Sequence, residues 1–453
     1  MVGFLIAAAH KSSGKTTISI GLSAALVECG KKIQIFKKGP DYIDPMWLSA
    51  ASASPCYNLD FNAMSESEIK NLYALKSHGA DISLVEANKG LYDGIDLRGL
   101  DSNAQLAKLL QLPVVLVIDT IGMTRGIAPL LLGYQAFDRD INIAGVILNK
   151  VGGMRHEAKL VRAVEYYSDI EVLGAIGRND ILDIGERHLG LITPDENNSP
   201  NTKIAQIGRI IGDGVDLDRL QEIAKIAPDT SLPRAVKIDQ FALGIKIGII
   251  KDSAFGFYYA DDLEAFQSVG AELVFIDSLQ DNELPQVDGL FIGGGFPEIQ
   301  MKKLSANEKL RADIKKAIEN GLPTYAECGG LMYLCDAIKW GEEEFPMVSV
   351  IDAKAIMHVR PQGRGYTRFD VKNNHPWGRA GQEIAAHEFH YASIERLKPD
   401  TEFARIIKRG HGIDGRNDGV IKQNLLAGFC HVRNSESNPW VRQFLTFVKS
   451  KKS

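Results

Sequence analysis

The run Phe4-Leu-Ile-Ala-Ala8 passes directly into Ala9-His10-Lys11-Ser12-Ser13-Gly14-Lys15-Thr16-Thr17. Five apolar residues followed by turn-formers read as a buried parallel strand. The next residues have the spacing of a Walker A phosphate loop, except that Ala9 stands where the first Gly is usual. The helical stretch Thr16–Val27 follows. Strand, loop and helix N-terminus in this order present converging backbone N–H groups to phosphates. Ser12, Ser13, Gly14, Lys15, Thr16 and Thr17 are the expected nucleotide-binding set. The two serines are small enough for close approach, Lys15 reaches the β/γ-phosphates, and the Thr16 hydroxyl faces Mg²⁺. A helix cap that binds nothing is the bland alternative; the strand-loop-helix context favours nucleotide. The Ala9 methyl disfavours positive φ, so the loop entrance is expected to differ slightly.

Outward from this loop, Ile33–Phe36, Ile82–Glu86, Val114–Ile118 and Ile143–Leu148 read as further strands, with Asn103–Leu110 as a crossover helix. The alternation is that of a doubly covered parallel sheet. It stops near residue 220, and Ile226-Ala-Pro-Asp-Thr-Ser-Leu-Pro-Arg-Ala-Val reads as a linker. It restarts with strands Ile245–Ile250, Glu272–Ile276, Val287–Ile292 and Pro323–Ala326 and helices Asp261–Gln267 and Glu308–Glu319. The expected organisation is one α/β domain over 1–225, a linker over 226–244 and a second α/β domain over 245–453. The length of 453 residues fits two or three domains at roughly 150 residues each. With 45% hydrophobic and 24% charged residues the chain is neither fibrous nor disordered. Fifty-two basic against 57 acidic residues give no broad footprint for nucleic acid or anionic membrane. No apolar run approaches the roughly 20 residues of a membrane span, and the order of apolar and basic residues at the N-terminus is not that of a signal peptide. Five scattered cysteines suggest a reducing, cytoplasmic setting.

Phosphoryl transfer needs carboxylates near the phosphate loop. Asp41 and Asp44 lie in Lys37-Lys38-Gly-Pro-Asp41-Tyr-Ile-Asp44, just after a strand. Glu86 ends Ile82–Glu86 and precedes Lys89-Gly-Leu-Tyr-Asp93-Gly94, and Asp119 follows Val114–Ile118. Lys37 and Lys38 are placed to meet an anionic substrate or phosphate, against a solvated basic pair as the alternative. Asn149-Lys150 resembles a base-contacting pair of P-loop proteins, a weak signal alone.

In the second half, strand Pro323–Ala326 runs into Glu327-Cys328-Gly329-Gly330 and a helical Leu331-Met-Tyr-Leu. A nucleophile on a tight strand-to-helix turn beside glycines is an elbow arrangement, and a helix N-terminus favours the thiolate. Upstream, Gly293-Gly294-Gly295 follows another strand. N–H groups at Gly294, Gly295 and Gly329 are the expected oxyanion donors. His431 is the candidate base. Cys335 and Cys430 lack this context and read as structural. His387 and His390, in Ala386-His-Glu-Phe-His390, invite a metal reading that no further ligand pattern supports.

As an ordered set, the phosphate loop, KKGPDYID, VEANKGLYDG, GGGFPE, AECGGLMYL, HEFHYA and CHV resemble the cobyrinic acid a,c-diamide synthase family over both halves of the chain. The resemblance implies a dethiobiotin-synthetase-like P-loop domain followed by a class I glutamine amidotransferase-like α/β domain. It implies that Cys328, with His431 as base, releases ammonia from glutamine. It further implies that Lys15, Thr16, Asp41, Asp44 and Glu86 serve an ATP- and Mg²⁺-dependent synthetase site, with Thr16, Asp41 and Glu86 at the metal. The substrate would be a tetrapyrrole polycarboxylate amidated at its a and c acetates: cobyrinic acid or, in related enzymes, sirohaem or nickel-sirohydrochlorin. A homodimer is the expected assembly. Several positions depart from the family pattern. Arg433 stands where class I triads usually carry Glu, two residues after the His, so the third member is unassigned. Lys38, Leu48 and the Asn58-Leu-Asp60-Phe stretch also differ, which bears on substrate identity. A deviant-Walker switch ATPase would carry a lysine at His10 and leaves Cys328 unexplained.

Overall fold

The computed structural model describes residues 2–187, 190–196, 199–228, 232–233 and 239–452. Its contacts divide the chain into Met1–Ala235 and Val236–Ser453.

The first unit runs β1 (Gly3–Ala8), α1 (Lys15–Glu28), β2 (Ile33–Lys38), α2 (Ile43–Ser52), β3 (Tyr57–Leu59), α3 (Glu66–Ser77), β4 (Ile82–Glu86), α4 (Asn103–Leu110), β5 (Val114–Asp119), α5 (Ile127–Phe137), β6 (Ile143–Val151), α6 (Met154–Tyr167) and β7 (Val172–Gly177). The two-residue strands β8 (Glu186–Arg187) and β9 (Gly190–Leu191) precede α7 (Pro200–Gly214) and α8 (Leu217–Ala224). Among the described residues the main sheet has the order β3-β2-β4-β1-β5-β6-β7, and every pairing in it is parallel. Strands β1, β4 and β5 are buried on both faces, which is why they read as unbroken apolar runs and not as alternating ones. Helix α1 is apolar nearly all round because α2 and α7 cover it: Ile18, Ile20, Leu22 and Leu26 lie in one core with Trp47, Ile207 and Ile211. Helix α3 begins with a capping box, Ser65 and Glu68 each satisfying the other's backbone N–H. Because β1 sits between β4 and β5, the loops after β1, β2 and β4 gather at the carboxyl edge of the sheet, where open α/β sheets bind ligands. The expected linker falls partly at 229–231 and 234–238, outside the described residues.

The second unit runs β10 (Lys246–Ile250), α9 (Ala260–Ser268), β11 (Glu272–Ile276), β12 (Gly289–Ile292), α10 (Met301–Ala306), α11 (Glu308–Glu319), β13 (Thr324–Glu327) and α12 (Gly329–Leu334). It continues through β14 (Cys335–Trp340), β15 (Glu343–Pro346), β16 (Ile351–Met357), β17 (Gly363–Val371), β18 (Glu383–His390), β19 (Ala392–Glu395), β20 (Glu402–Arg409), β21 (Asn417–Lys422), β22 (Leu425–Gly428) and α13 (Trp440–Lys451). One sheet has the order β11-β10-β12-β13-β22-β21-β20-β17-β18, parallel from β11 to β22 and antiparallel beyond. A smaller sheet, β15-β14-β16-β19, lies apart from it in the topology. An aromatic core of Phe266, Phe291, Tyr325, Trp440 and Phe444 supports the parallel half, Phe291 and Tyr325 stacking at 5.4 Å. Among the described residues no helix is long and apolar enough to cross a membrane.

Candidate active sites

In the first unit the phosphate loop forms as its residues dictate. Gly14 caps α1 at φ 89°, a conformation that suits glycine. Around it, Asn149 Nδ2 donates to the Ser13 carbonyl at 2.9 Å and Lys150 Nζ to the Ser12 carbonyl at 3.3 Å. Lys150 also pairs with Asp119 at 2.8 Å. The Asn149-Lys150 pair, which resembles a base-contacting motif, here grips the phosphate loop. At the loop entrance the Tyr134 hydroxyl donates to the Ala9 carbonyl at 2.6 Å. Ser13 Oγ donates to the His10 carbonyl at 2.8 Å, and Thr17 Oγ1 to that of Leu182 at 3.4 Å.

Four of the singled-out residues meet beside this loop. Thr16 Oγ1 donates to Glu86 Oε1 at 2.8 Å and Asp44 Oδ2 at 3.2 Å. Lys37 Nζ lies 2.5 Å from Asp44 Oδ2, 2.6 Å from Glu86 Oε1 and 3.8 Å from Asp41 Oδ2. Asp41 stands one step back: its Oδ1 accepts the Ile43 and Asp44 N–H groups, starting α2. Asp44, not Asp41, is thus seated on Thr16. Lys37 and Lys38 point to opposite faces of β2, as strand periodicity requires. Lys38 donates to the Asp101 carbonyl at 2.5 Å, and burial lowers its pKa. Asp93 accepts the Gly90 N–H at 2.9 Å, shaping the loop after β4.

The electrostatics follow from burial. Desolvation and the Lys37 charge lower the Lys15 ammonium to about 8, against the pull of Glu86, Asp44 and Asp93. Burial also opposes the charge on Lys37, but Asp44, Glu86 and Asp41 outweigh it and hold Lys37 well above the lysine range. Burial and the Asp44 carboxylate push Asp41 up to about 7. Glu86 Oε2 is buried with no hydrogen-bond partner among the described residues. A hydroxyl and two carboxylates, one of them with this orphaned oxygen, are hard donors of the kind Mg²⁺ takes.

In the second unit Cys328 lies between β13 and α12 at φ 47° and ψ −101°, a strained elbow for a residue with a Cβ. Its N–H donates to the Gly428 carbonyl at 2.7 Å, tying the elbow to the end of β22. Three residues on from Gly428, His431 hydrogen-bonds the thiol. The glycine turn after β12 closes over the pair. A Cβ on Gly294 would meet His431 Cε1 at 2.5 Å, and one on Gly329 would meet the Gly295 nitrogen at 3.0 Å. The third glycine of the turn has another task, since the Gly293 N–H donates to the Tyr258 hydroxyl at 2.8 Å. Burial would lower the His431 pKa, but its hydrogen bonds to Cys328 and Glu327 raise it to about 10.

The sequence reading passed over Glu327. Its Oε2 lies 3.2 Å from His431 Nδ1, and its Oε1 accepts the Tyr325 hydroxyl at 2.6 Å and the Val432 N–H at 3.0 Å. The only sequence signal was its adjacency to the nucleophile. Arg433 is buried and turned elsewhere, paired with Asp261 at 2.6 Å and lying over the Tyr259 ring. His387 and His390 both lie on β18, where an offset of three puts them on opposite faces. His387 stacks on His431 at 5.0 Å and His390 on Phe429 at 3.7 Å. Among the described residues no group of three His, Cys, Asp or Glu side chains is arranged to hold a metal. Cys335 and Cys430 are buried and free, as a structural role requires.

Residues 4–192 match the CobQ/CobB/MinD/ParA nucleotide binding domain, and residues 246–439 the CobB/CobQ-like glutamine amidotransferase domain. With these two domains, and with the relatives that follow, the chain is an ATP-using, glutamine-dependent amide-forming ligase. The chain is 40% identical to a cobyrinate a,c-diamide synthase of Magnetococcus marinus, over 99% of this chain and 97% of the relative. It is equally similar to one from Archaeoglobus fulgidus, over 99% and 98% of the two chains. It is also 40% identical to one from Methanosarcina barkeri, over 94% and 92%. The chain belongs to the cobyrinate a,c-diamide synthase family.

Proposed function

We propose that the protein amidates the a and c acetate carboxylates of cobyrinate, with ammonia drawn from glutamine and ATP as the activating substrate. The observation that carries the substrate is 40% identity along nearly the whole chain to cobyrinate a,c-diamide synthases. The Cys328–His431 pair beneath a glycine turn supports the glutaminase half.

In the glutaminase step, Cys328 Sγ attacks the side-chain amide carbon of glutamine. N–H groups at Gly294, Gly295 and Gly329 receive the oxyanion. His431 returns a proton to the departing nitrogen, so that a γ-glutamyl thioester and ammonia form; water then releases glutamate. In the synthetase step, a carboxylate oxygen of the tetrapyrrole attacks the γ-phosphorus and ADP departs. Ammonia attacks the resulting acyl phosphate and inorganic phosphate departs, leaving the amide. A free carboxylate is too poor an electrophile for ammonia, hence the phosphoryl group. Lys15 neutralises charge at the phosphates, while Ser12, Ser13, Gly14 and Thr17 shape their cradle. Thr16, Asp44 and Glu86 would hold Mg²⁺, with Asp41 behind them; the ion supplies charge neutralisation at the phosphates. Lys37 keeps the carboxylates in register. A nucleotide switch without amidation leaves the Cys328 site without a purpose.

The test is mass spectrometry after incubation with ATP, Mg²⁺, glutamine and, separately, cobyrinate, sirohaem and nickel-sirohydrochlorin. Two successive losses of about one mass unit on cobyrinate are expected. Conversion of another macrocycle alone would overturn the substrate assignment. Cys328→Ser should abolish the glutamine-dependent product and leave the ammonia-dependent one; equal loss of both would overturn the two-site scheme.

A further inference from the structure

We propose that Glu327 is the positioning residue of the glutaminase site: it fixes the tautomer and orientation of His431 from the chain position next to the nucleophile, in place of an acid two residues after the histidine. The proposal rests on the glutaminase reading of Cys328 and His431.

The geometry is that of a grip on both sides of one residue. Glu327 Oε2 faces His431 Nδ1 at 3.2 Å, while Oε1 takes the N–H of the following residue, Val432, at 3.0 Å. With Nδ1 carrying the proton toward the carboxylate, Nε2 is left to the thiol, as a base requires. The His431 backbone is pinned as well. Its N–H donates to the His387 carbonyl at 2.8 Å, and its carbonyl accepts the His387 N–H at 3.1 Å.

Glu327 is itself held. Tyr325, two residues back on β13, donates its hydroxyl to Oε1, and Arg405 Nη2 donates to that hydroxyl at 3.1 Å. Arg405 Nη1 pairs with Asp418 at 3.1 Å, and Asp418 accepts the Phe429 N–H at 2.8 Å and the Cys430 N–H at 3.4 Å. The chain of bonds returns to the backbone just before His431, so acid and base are anchored to one buried network. The +2 position is not available for the task, because Arg433 is committed to Asp261.

The other groups facing the imidazole are consistent with this role. They are the Cys328 thiol, Glu327 and the stacked His387, behind which lies Arg433. Burial, then the charges of His431 and Arg433, hold His387 far below the usual histidine range, so His431 bears the proton.

Glu327→Gln keeps the shape and an acceptor for Tyr325 and Val432, but turns an amide N–H₂ toward Nδ1. The expected result is a fall in glutaminase kcat of about a hundredfold to ten-thousandfold, with KM for glutamine within threefold. Because Glu327 is one of the groups that raise His431, the alkaline limb of the pH profile should move to lower pH by more than one unit. Tyr325→Phe, which removes a donor to the far oxygen of Glu327 and an acceptor for Arg405 but leaves the bond to His431, should cost less than tenfold. Glutaminase kcat within threefold of the native enzyme in Glu327→Gln, or an unmoved alkaline limb, overturns the proposal. So does a loss shared equally by ammonia-dependent amidation and melting temperature, since that marks a purely structural carboxylate. Cys328→Ser assayed alongside separates the two readings. If it retains glutaminase activity the nucleophile assignment fails; if it is inactive while Glu327→Gln is not, only the present inference fails.

Discussion

Replacing Lys37 by Met removes the ammonium held between a buried acid, Glu86, and a partly buried one, Asp44. Glu86 is fully buried and Asp44 is 18% exposed, and Lys37 contacts them at 2.6 and 2.5 Å. Removing one partner of a buried pair costs about 3–5 kcal/mol, because the remaining charge loses its compensation and cannot reach water. The cost falls on the unit spanning Met1–Ala235. For a unit of that size 1 kcal/mol moves the melting temperature by about 2–4 °C, so the transition should fall by roughly 6–20 °C in EDTA. A divalent cation at Thr16, Asp44 and Glu86 replaces the lost charge. At a hundred times its dissociation constant it returns about 2.7 kcal/mol, and so roughly 5–10 °C. Differential scanning calorimetry of the full chain in EDTA and in Mg²⁺ measures both effects, the transition raised by ATP marking this unit. A variant melting within 2 °C of the native protein in EDTA would refute the charge-compensation argument. A large fall that Mg²⁺ does not reverse would refute the cation site.

Three further outcomes follow from the same unit. Lys15 is lowered to about 8, and bound phosphate favours its charged form, so ATP affinity should be level below pH 7 and weaken up to about tenfold per unit above pH 8; calorimetric titration between pH 7 and 9.5 at fixed ionic strength reads it, and a level profile counts against contact with phosphate. The unfolded lysine keeps its proton to about 10.5 while the folded one releases it near 8, so in that window this residue makes stability rise with pH. Tyr134→Phe removes the donor to the Ala9 carbonyl. A hydrogen bond of about 1 kcal/mol corresponds to a roughly fivefold rise in the ATP dissociation constant; no change would mean the hydroxyl does not shape the loop.

The parallel strands were legible because burial on both faces leaves a run with no alternation to confuse. Ile82–Glu86, Glu272–Ile276, Asn103–Leu110 and Glu308–Glu319 have the expected bounds, and others differ by one to three residues at an end. The antiparallel strands between Cys335 and Lys422 were not read, since half-exposed segments such as Gly363–Val371 mix glycine and arginine into the pattern. At the first site the carboxylates were legible but their order was not: two acids three residues apart at a helix start look alike until one is used as a cap. The loop-gripping role of Asn149 and Lys150 was not legible for a related reason, as the same polar pair suits a base or a loop carbonyl. Glu327 was hidden because an acid beside a nucleophile carries no spacing signature; only the sheet shows that its side chain and that of His431 face each other.

Strands β13 and β22 are neighbours in parallel register, with Glu327 opposite Gly428. Thiol and imidazole are therefore borne by two adjacent rails of the sheet, and the eight strands β14–β21 hang from the chain between them. That insertion can be lengthened or exchanged without altering the spacing of the reacting groups, because β13 and β22 hydrogen-bond to each other whatever hangs from them. Two places are exempt: at His387 the insertion laces directly onto His431 through two backbone hydrogen bonds, and on β20 and β21 Arg405 and Asp418 tie Tyr325 to the Phe429 and Cys430 N–H groups. A redesign that spares this stitch, the Arg405–Asp418 pair and the two rails has the rest of the insertion free to vary.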